Sequence, residues 1–329
     1  MKAIVRERYG GPEVLELREV PELGPSDGQL LIKVHAASVN ASDVHFMRGM
    51  PLMLRFMAGG LLRPRKTSMG ADVAGVVEAV GPGVTRFKAG DAVFGELSGS
   101  GFGAFAEYAL AKEEALCLMP TGASFAEAAA LPTAAMTALQ ALRDRGAVGS
   151  GRTVAIEGAS GGVGTAAVQI AKALGAEVTA VASAQKLETA RRLGADRVID
   201  YRSEDFTANG HSYDAVYAVN GHHTLPDYGR VLRTGGSFVM TGGEGPLMMQ
   251  TMLRGKGLAK RWGRGVSFLY SKPNAADLGA VAELLGSRRV VPYIERSFPL
   301  EEATEAIRHV EAGHASGKVV ITVVPERTA

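Results

Sequence analysis

Short apolar runs separated by glycine and proline fill the first third of the chain. Examples are residues 30–36, 75–80 and 104–110. Strand-length runs bounded by turn residues are typical of β-structure, so the pattern predicts a mostly β domain up to about Leu118.

The middle of the chain changes to an Ala-rich helical segment at 125–143 and then to alternating strand and helix patterns. Further helices are predicted at 163–174 and 184–193. The strands are predicted at 153–157, 177–182, 197–200, 214–219 and 237–240, with a sixth at 266–270 beyond a basic loop. This alternation predicts an α/β fold with a doubly wound parallel sheet, a Rossmann domain.

The last part of the chain contains two predicted helices, 275–285 and 300–311, and an apolar strand, 318–324. We expect this strand to pair back into the N-terminal domain. The expected domains are therefore 1–122 together with 272–329, and 123–271. Active sites of such architectures are expected in the cleft between domains, outside the carboxyl ends of the parallel strands.

The segment from Val154 to Gly164 is an apolar strand that runs into a glycine turn and then a helix. Gly161 and Gly162 allow close approach of a pyrophosphate, and the helix N-terminus offers free N–H groups and a positive dipole end. A glycine-rich turn can also be a plain connection. Since a second apolar strand follows at the spacing of a βαβ unit, the pattern favours dinucleotide binding.

The end of this second strand, 177–182, indicates which dinucleotide is bound. Sites for NAD usually carry Asp or Glu there, which binds the ribose 2′-hydroxyl. Ser183 and Lys186 stand there instead, and Glu177 lies at the opposite end of the strand. A hydroxyl group and a cation suit a 2′-phosphate, so we expect NADPH. The alternative is that Lys186 only decorates the exposed start of the next helix.

Composition sets outer limits on function. The chain has 329 residues, 46% of them hydrophobic, and a formal net charge of +2, so bulk charge suggests neither nucleic acid nor an anionic membrane as a partner. The basic stretch 254–264 is more readily explained as a solvated loop or helix face.

Cys117 is the only cysteine, which excludes an intramolecular disulfide and a zinc site of several thiolates. Without a signal-peptide pattern, we expect a soluble, unprocessed cytoplasmic protein.

Motifs along nearly the whole chain resemble the medium-chain dehydrogenase/reductases, specifically their zinc-lacking quinone oxidoreductase group. They are Val39-Asn-Ala-Ser-Asp43, residues 70–84, Gly90-Asp-Ala-Val93, residues 131–138, Gly161-Gly-Val-Gly164, Leu193-Gly-Ala-Asp196 and residues 313–320. The resemblance implies a Rossmann cofactor domain plus a mostly β GroES-like catalytic domain. It also implies a homodimer joined through the exposed sixth strand, which would cover a sheet edge.

The zinc enzymes of this superfamily carry a cysteine where this chain has Asn40, and Gly-His-Glu where it has Gly70-Ala71-Asp72. Their four clustered cysteines are missing as well, so we expect no metal. His222 and His223 are adjacent on an extended segment and would point to opposite sides, which argues against a shared metal.

The resemblance also implies which residues bind the cofactor. Asn40 and Thr137 would lie near the nicotinamide, Gly242 would shape its pocket, and Lys318 would lie close to the cofactor. The remaining positions are Ser160, Gly161, Gly162 and Val163 at the pyrophosphate, and Ser183, Lys186 and Tyr201 at the 2′-phosphate. No residue is identified as the general acid.

Without a Lewis-acid metal, the hydride acceptor must be electron-poor. We therefore expect a zinc-independent NADPH-dependent oxidoreductase that reduces a quinone or an α,β-unsaturated carbonyl compound. The alternatives are a metal-independent alcohol or aldehyde oxidoreductase, and a non-catalytic NADP-binding redox sensor. Met50, Met53 and Met57, at spacings compatible with one helix face, could line an apolar substrate pocket or simply pack.

Overall fold

The computed structural model describes residues 1–52, 55–56 and 60–324. These residues form two compact units. Unit 1 comprises Met1–Thr133, Pro273–Ser287 and the described chain from Ile294 onwards, and unit 2 comprises Ala134–Lys272 and Arg288–Tyr293. The expected domain limits, 1–122 with 272–329 and 123–271, stay a prediction.

The N-terminal part of unit 1 consists mainly of strands, as predicted. Its elements are β1 (Lys2–Arg6), β2 (Leu15–Glu19), β3 (Gln29–Val39), α1 (Ala41–Arg48), β4 (Asp72–Val80), β5 (Ala92–Glu96), β6 (Tyr108–Lys112), β7 (Leu116–Leu118) and α2 (Phe125–Ala129). Leu30, Ile32 and Val34 of β3 are buried in the core, because alternate residues of a strand share one face.

The strand expected at 104–110 begins only at Tyr108. Phe105 makes single backbone hydrogen bonds instead: its carbonyl accepts from the Ile4 N–H at 2.8 Å, and its N–H donates to Met69 at 3.1 Å. The helix expected at 125–143 is interrupted after Ala129, and a new helix, α3, spans Pro132–Leu139. Proline lacks the N–H that a continuous helix requires, which explains the break. Gln140–Arg145 then continue as a π-helix.

Unit 2 contains the parallel sheet that the alternating pattern predicted. Its elements are β8 (Thr153–Glu157), α4 (Gly162–Ala173), β9 (Glu177–Ala182), α5 (Leu187–Arg192), β10 (Arg197–Asp200), β11 (Tyr213–Ala218), α6 (Leu225–Val231), β12 (Leu232–Met240), α7 (Gly245–Trp262) and β13 (Gly265–Phe268). The strand order is β10-β9-β8-β11-β12-β13, and each neighbouring pair is parallel. β8 and β11 are neighbours at the centre of this sheet. The chain passes from β8 to β9 and β10 on one side and from β11 to β12 and β13 on the other, so the carboxyl ends of β8 and β11 form a topological switch point.

The basic stretch 254–264 was expected to be a solvated loop or helix face, and it is helical in α7 as far as Trp262, so the sixth strand follows a helix and not a loop. Helix α1 ends at Arg48, where Gly49 adopts a left-handed conformation with φ 62°, and Met50 follows it. Met53 and Met57 lie outside the described residues, so the expected methionine face stays a prediction.

The C-terminal part returns to unit 1, as expected. It contributes α8 (Ala275–Gly286), β14 (Ile294–Pro299), α9 (Ala303–Glu311) and β15 (Lys318–Thr322). β15 pairs antiparallel with β3 and completes a sheet in the order β14-β15-β3-β4-β5-β7, to which β6 adds by pairing with β3. This pairing brings the first residue of β15 to the end of β3.

None of the helices in the described part of the chain is long and apolar enough to cross a membrane.

Candidate functional site

The glycine turn lies at the carboxyl end of β8, at the switch point of the sheet. Gly158 follows β8 with φ 80°, a conformation that favours glycine. Gly161 then caps the N-terminus of α4, which begins at Gly162. The first N–H groups of a helix have no partner within the helix and point outward with the positive end of the helix dipole. Ser160, Gly161, Gly162 and Val163 therefore form a turn of the kind that suits an anion.

Gly161 and Gly164 have different structural roles in this turn. A β-carbon at Gly164 would lie 2.1 Å from the carbonyl oxygen of Gly158, so helix α4 can approach β8 only with glycine there. A β-carbon at Gly161 would meet no protein atom within 4 Å. The space beside Gly161 is thus open to a ligand, as a pyrophosphate cradle requires.

The neighbouring strand ends gather the residues expected at the 2′-phosphate. Ala182 of β9 pairs with Asp200 of β10, so Ser183 and Tyr201 follow at adjacent positions. The Tyr201 N–H donates to the Ala182 carbonyl at 3.3 Å, and the Lys186 N–H donates to the Ser183 carbonyl at 2.8 Å. Arg202, whose guanidinium lies 5.7 Å from the Tyr201 ring centroid, adds a cation that the sequence analysis did not identify.

A buried carboxylate lies directly below the cradle. Glu157, the last residue of β8, accepts a hydrogen bond from the Tyr228 hydroxyl at 2.5 Å and contacts His223 Nδ1 at 3.0 Å. His223 Nε2 lies 3.1 Å from Asp205 Oδ1. The hydrogen bond to Glu157 raises the pKa of His223, because the carboxylate stabilises the protonated ring.

The two adjacent histidines engage different partners, as their spacing predicted. Nε2 of His222 lies 3.0 Å from the Asn220 amide nitrogen, and Nδ1 lies 3.6 Å from Glu244, whereas the His223 ring lies between Glu157 and Asp205. In the chain as described, no three His, Cys, Asp or Glu residues are grouped so that they could hold a metal ion.

In unit 1, three elements bring Asn40, Asp72 and Lys318 together. Asn40 follows β3 and caps α1, Asp72 begins β4, and Lys318 begins β15. The Lys318 ammonium donates to Asn40 Oδ1 at 2.6 Å and lies 3.6 Å from Asp72 Oδ2. Asn40 Nδ2 in turn donates to Asp72 Oδ2 at 3.0 Å. All three side chains are buried.

Asp72 is the centre of this cluster because it accepts hydrogen bonds from several directions. Ser38 Oγ donates to Oδ2 at 3.1 Å, while the backbone N–H and hydroxyl of Thr133 donate to Oδ1 at 3.0 and 2.6 Å. These donors replace the water that the buried carboxylate loses.

Burial also changes the proton affinities of the groups around Asp72. It lowers the pKa of Lys318, although the carboxylates of Asp72 and Asp43 oppose the shift. It raises the pKa of Asp43 and of Glu96 to about 7 each, with the Asp72 charge adding to the effect. Asp43 also accepts from the Asn40 N–H at 2.8 Å, which makes it an acceptor that fixes the start of α1.

In unit 1, the structure brings Asn40 and Lys318 together. In unit 2, it places the cradle residues at the carboxyl end of β8, and Ser183 and Tyr201 after the ends of the neighbouring strands. Thr137 is a buried residue of α3 within unit 2. Gly242 follows β12, where its carbonyl accepts from the Gly221 N–H at 3.1 Å and a β-carbon would lie 2.6 Å from the Val219 oxygen.

Asp72, Glu157 and His223 were not expected as members of these clusters. A signal was present for the two acids, because Glu157 ends one apolar strand run and Asp72 begins another. Their partners are distant in the sequence and could not be identified from spacing.

Comparisons with known proteins agree with this geometry. Residues 26–121 match the family model described as "Alcohol dehydrogenase GroES-like domain", and residues 193–321 match the one described as "Zinc-binding dehydrogenase". The chain is 36% identical over 338 residues to a chloroplastic quinone-oxidoreductase homolog of Spinacia oleracea, covering 98% of both proteins. It is 34% identical to a chloroplastic NADPH-dependent alkenal/one oxidoreductase of Arabidopsis thaliana, covering 99% of this chain and 80% of the relative.

A solved quinone oxidoreductase from Coxiella burnetii superposes with a TM-score of 0.86 at 32% identity. The match covers 98% of this chain and 99% of that one.

The different roles of the two cradle glycines give a prediction about stability. Gly164→Ala should lower the free energy of unfolding by about 1–3 kcal/mol, because the added carbon meets the Gly158 carbonyl. Gly161→Ala should change it by less than about 0.5 kcal/mol, since the space is open. Urea denaturation followed by circular dichroism measures both values, and equal losses in the two variants would contradict the close approach of α4 to β8.

Proposed function

The chain belongs to the medium-chain dehydrogenase/reductase superfamily, and from this premise we propose that it is a zinc-independent, NADPH-dependent oxidoreductase. Its substrate is a quinone or an α,β-unsaturated carbonyl compound. The observation that carries the proposal is the open cradle at Gly161 in a chain that matches quinone and alkenal/one oxidoreductases over nearly its whole length.

When bound, NADPH supplies the hydride. The N–H groups at the start of α4 hold its pyrophosphate, and Ser183, Lys186 and Tyr201 bind its 2′-phosphate. Arg202 adds positive charge at the same edge. No Asp or Glu stands at positions 182–187 to repel a phosphate or to select a ribose hydroxyl. Thr137 and Gly242 of unit 2, and Asn40 and Lys318 of unit 1, are proposed to lie at the nicotinamide.

Zinc independence is supported by the chemistry of the donor set. The positions that hold zinc in related enzymes carry Asn40, Ala71 and Asp72; neither an alanine nor a carboxamide is a usual zinc ligand, and the carboxylate of Asp72 alone does not make a site. The Asn40 oxygen already accepts from the Lys318 ammonium, and its nitrogen donates to Asp72. These residues do not fit a catalytic zinc, whatever the name of the matched family model.

The substrate class follows from this lack of a Lewis acid. A hydride acceptor that no metal polarises must itself be electron-poor, as quinones and enones are. Reduction of a quinone takes one hydride and one proton to give the hydroquinone. In an enone, the hydride goes to the β-carbon and the proton to the α-carbon.

The first prediction tests the proposed reaction. Purified protein should oxidise NADPH in the presence of quinones or enones but should not reduce NADP with simple alcohols, and a chelator should leave the rate unchanged. A spectrophotometric substrate panel with both reduced cofactors, together with elemental analysis, measures this. Stoichiometric zinc or alcohol oxidation would contradict the proposal, and cofactor binding without turnover would indicate a non-catalytic redox sensor.

A second prediction concerns cofactor choice. A hydrogen bond to a charged partner contributes roughly 1.5–3 kcal/mol, so Lys186→Ala should weaken NADPH binding by about 10- to 150-fold, with partial exposure favouring the lower value. NADH, which lacks the 2′-phosphate, should be unaffected. Titration of both cofactors decides the matter. Arg191→Ala, which removes an exposed cation from α5, is the control and should change neither affinity.

We also propose that the chain forms a homodimer through β13. This strand pairs with β12 on one side, and none of the described strands pairs with its other edge. An open edge favours pairing with a second strand. Light scattering should give twice the chain mass of 34.4 kDa, and a monomer at micromolar concentration would contradict the pairing.

A cytoplasmic location completes the proposal. The single cysteine, Cys117, has no disulfide and suits a reducing compartment. Fractionation of cells should find the protein in the cytoplasm or on membranes that face it, and recovery from an oxidising compartment would contradict the assignment.

A further inference from the structure

Helix α7 has an inner face that packs on the sheet of unit 2. Leu247, Thr251 and Gly255 are buried at intervals of four residues, and Leu258 and Trp262 continue the same line. The opposite face of the helix therefore points away from the sheet.

The outer face of α7 exposes apolar side chains in its first half. Met249 and Met252 are 56% and 55% exposed, and Leu253 is 75% exposed. Single exposed apolar residues are common, but three within five positions of one helix face form a contiguous patch.

The second half of the same face is basic. Lys256 and Lys260 are exposed on it, Arg254 and Arg261 are exposed on the flank of the helix, and among the described residues none of the four has a carboxylate oxygen within 4.0 Å. The sequence contains no Asp or Glu between Glu244 and Asp277, so no acid from this segment offsets their charge. Lys260 and Arg261 in the last turn stabilise the helix dipole, but this does not explain Arg254, Lys256 or the apolar patch.

The positive charge and the apolar side chains of this face together indicate which kind of partner it binds. A second copy of α7 would bring the same positive charges and would be repelled. A bilayer with anionic headgroups attracts exposed Lys and Arg and also accepts methionine and leucine side chains at its interface.

We propose that the outer face of α7 binds the surface of a membrane containing anionic phospholipids. Met249, Met252 and Leu253 enter the headgroup region, and Lys256 and Lys260 contact the phosphates. The protein binds as a peripheral protein through this helix, and the binding does not depend on the proposed reaction.

The experiment is sedimentation of the full-length protein with vesicles, in the absence of substrate. Vesicles of phosphatidylcholine mixed with phosphatidylglycerol should bind the protein, and vesicles of phosphatidylcholine alone should bind it far more weakly. Since each cation near an anionic surface strengthens binding about fivefold, Lys256→Gln/Lys260→Gln should lower the partition coefficient about 30-fold. Added salt should weaken binding of the wild-type protein.

Two further variants make the test specific. Met249→Gln/Leu253→Gln keeps the charge and should lower binding about tenfold or more, because two apolar side chains no longer enter the interface. Arg191→Gln/Arg192→Gln removes the same charge as the lysine variant from the exposed end of α5 and should bind like the wild type. The α7 variants should reduce a water-soluble quinone at the wild-type rate.

Three results would overturn the proposal. The first is equal sedimentation with neutral and anionic vesicles. The second is a loss of binding in the α5 variant as large as that in the α7 variants. The third is binding to soluble polyglutamate without binding to vesicles, which would assign the face to an acidic protein partner.

Discussion

The close approach of helix α4 to strand β8 is the constraint on which the cofactor half of the molecule depends. Only a glycine at position 164 allows it, because a β-carbon there would lie 2.1 Å from the Gly158 carbonyl. The approach fixes the N-terminus of α4 above the switch point between β8 and β11. The direction of the helix dipole and the position of its free N–H groups follow from this single contact.

Each unit also holds a buried carboxylate at the end of a central strand, Glu157 in unit 2 and Asp72 in unit 1. A buried charge is tolerated only when hydrogen bonds and opposite charge replace its hydration. Glu157 obtains them from Tyr228 and His223, and Asp72 from Ser38, Asn40, Thr133 and Lys318. Since these partners come from distant segments, each carboxylate fixes the relative positions of several elements within its own unit.

Strands of the cofactor unit could be predicted from the sequence, whereas the partners of the two buried carboxylates could not, because they come from distant segments. The strands at 153–157, 177–182 and 197–200 have the predicted bounds, because buried parallel strands appear as continuous apolar runs. For the segment 254–264 the sequence left a loop and a helix face open, because Gly255 and Gly257 lower helix propensity. Gly255 is buried, and a β-carbon there would lie 3.1 Å from the Val266 oxygen, so tertiary packing overrides propensity. The contacts of Asp72 depend on strand pairing, which local periodicity does not encode.

The pKa values of Asp43, Glu96 and Lys318 differ from those that their residue types alone would suggest. A solvated aspartate or glutamate has lost its proton well below neutral pH, and a solvated lysine keeps its proton well above it. Burial raises the pKa of Asp43 and Glu96 to about 7 and lowers that of Lys318, so all three shifts move toward neutrality. Because the charges of Asp43 and Asp72 stabilise the ammonium, loss of a proton from Asp43 favours retention of the one on Lys318. Asp43 and Lys318 both hydrogen-bond to Asn40, so the protonation of these two groups is coupled across it, which a search for a single general acid would miss.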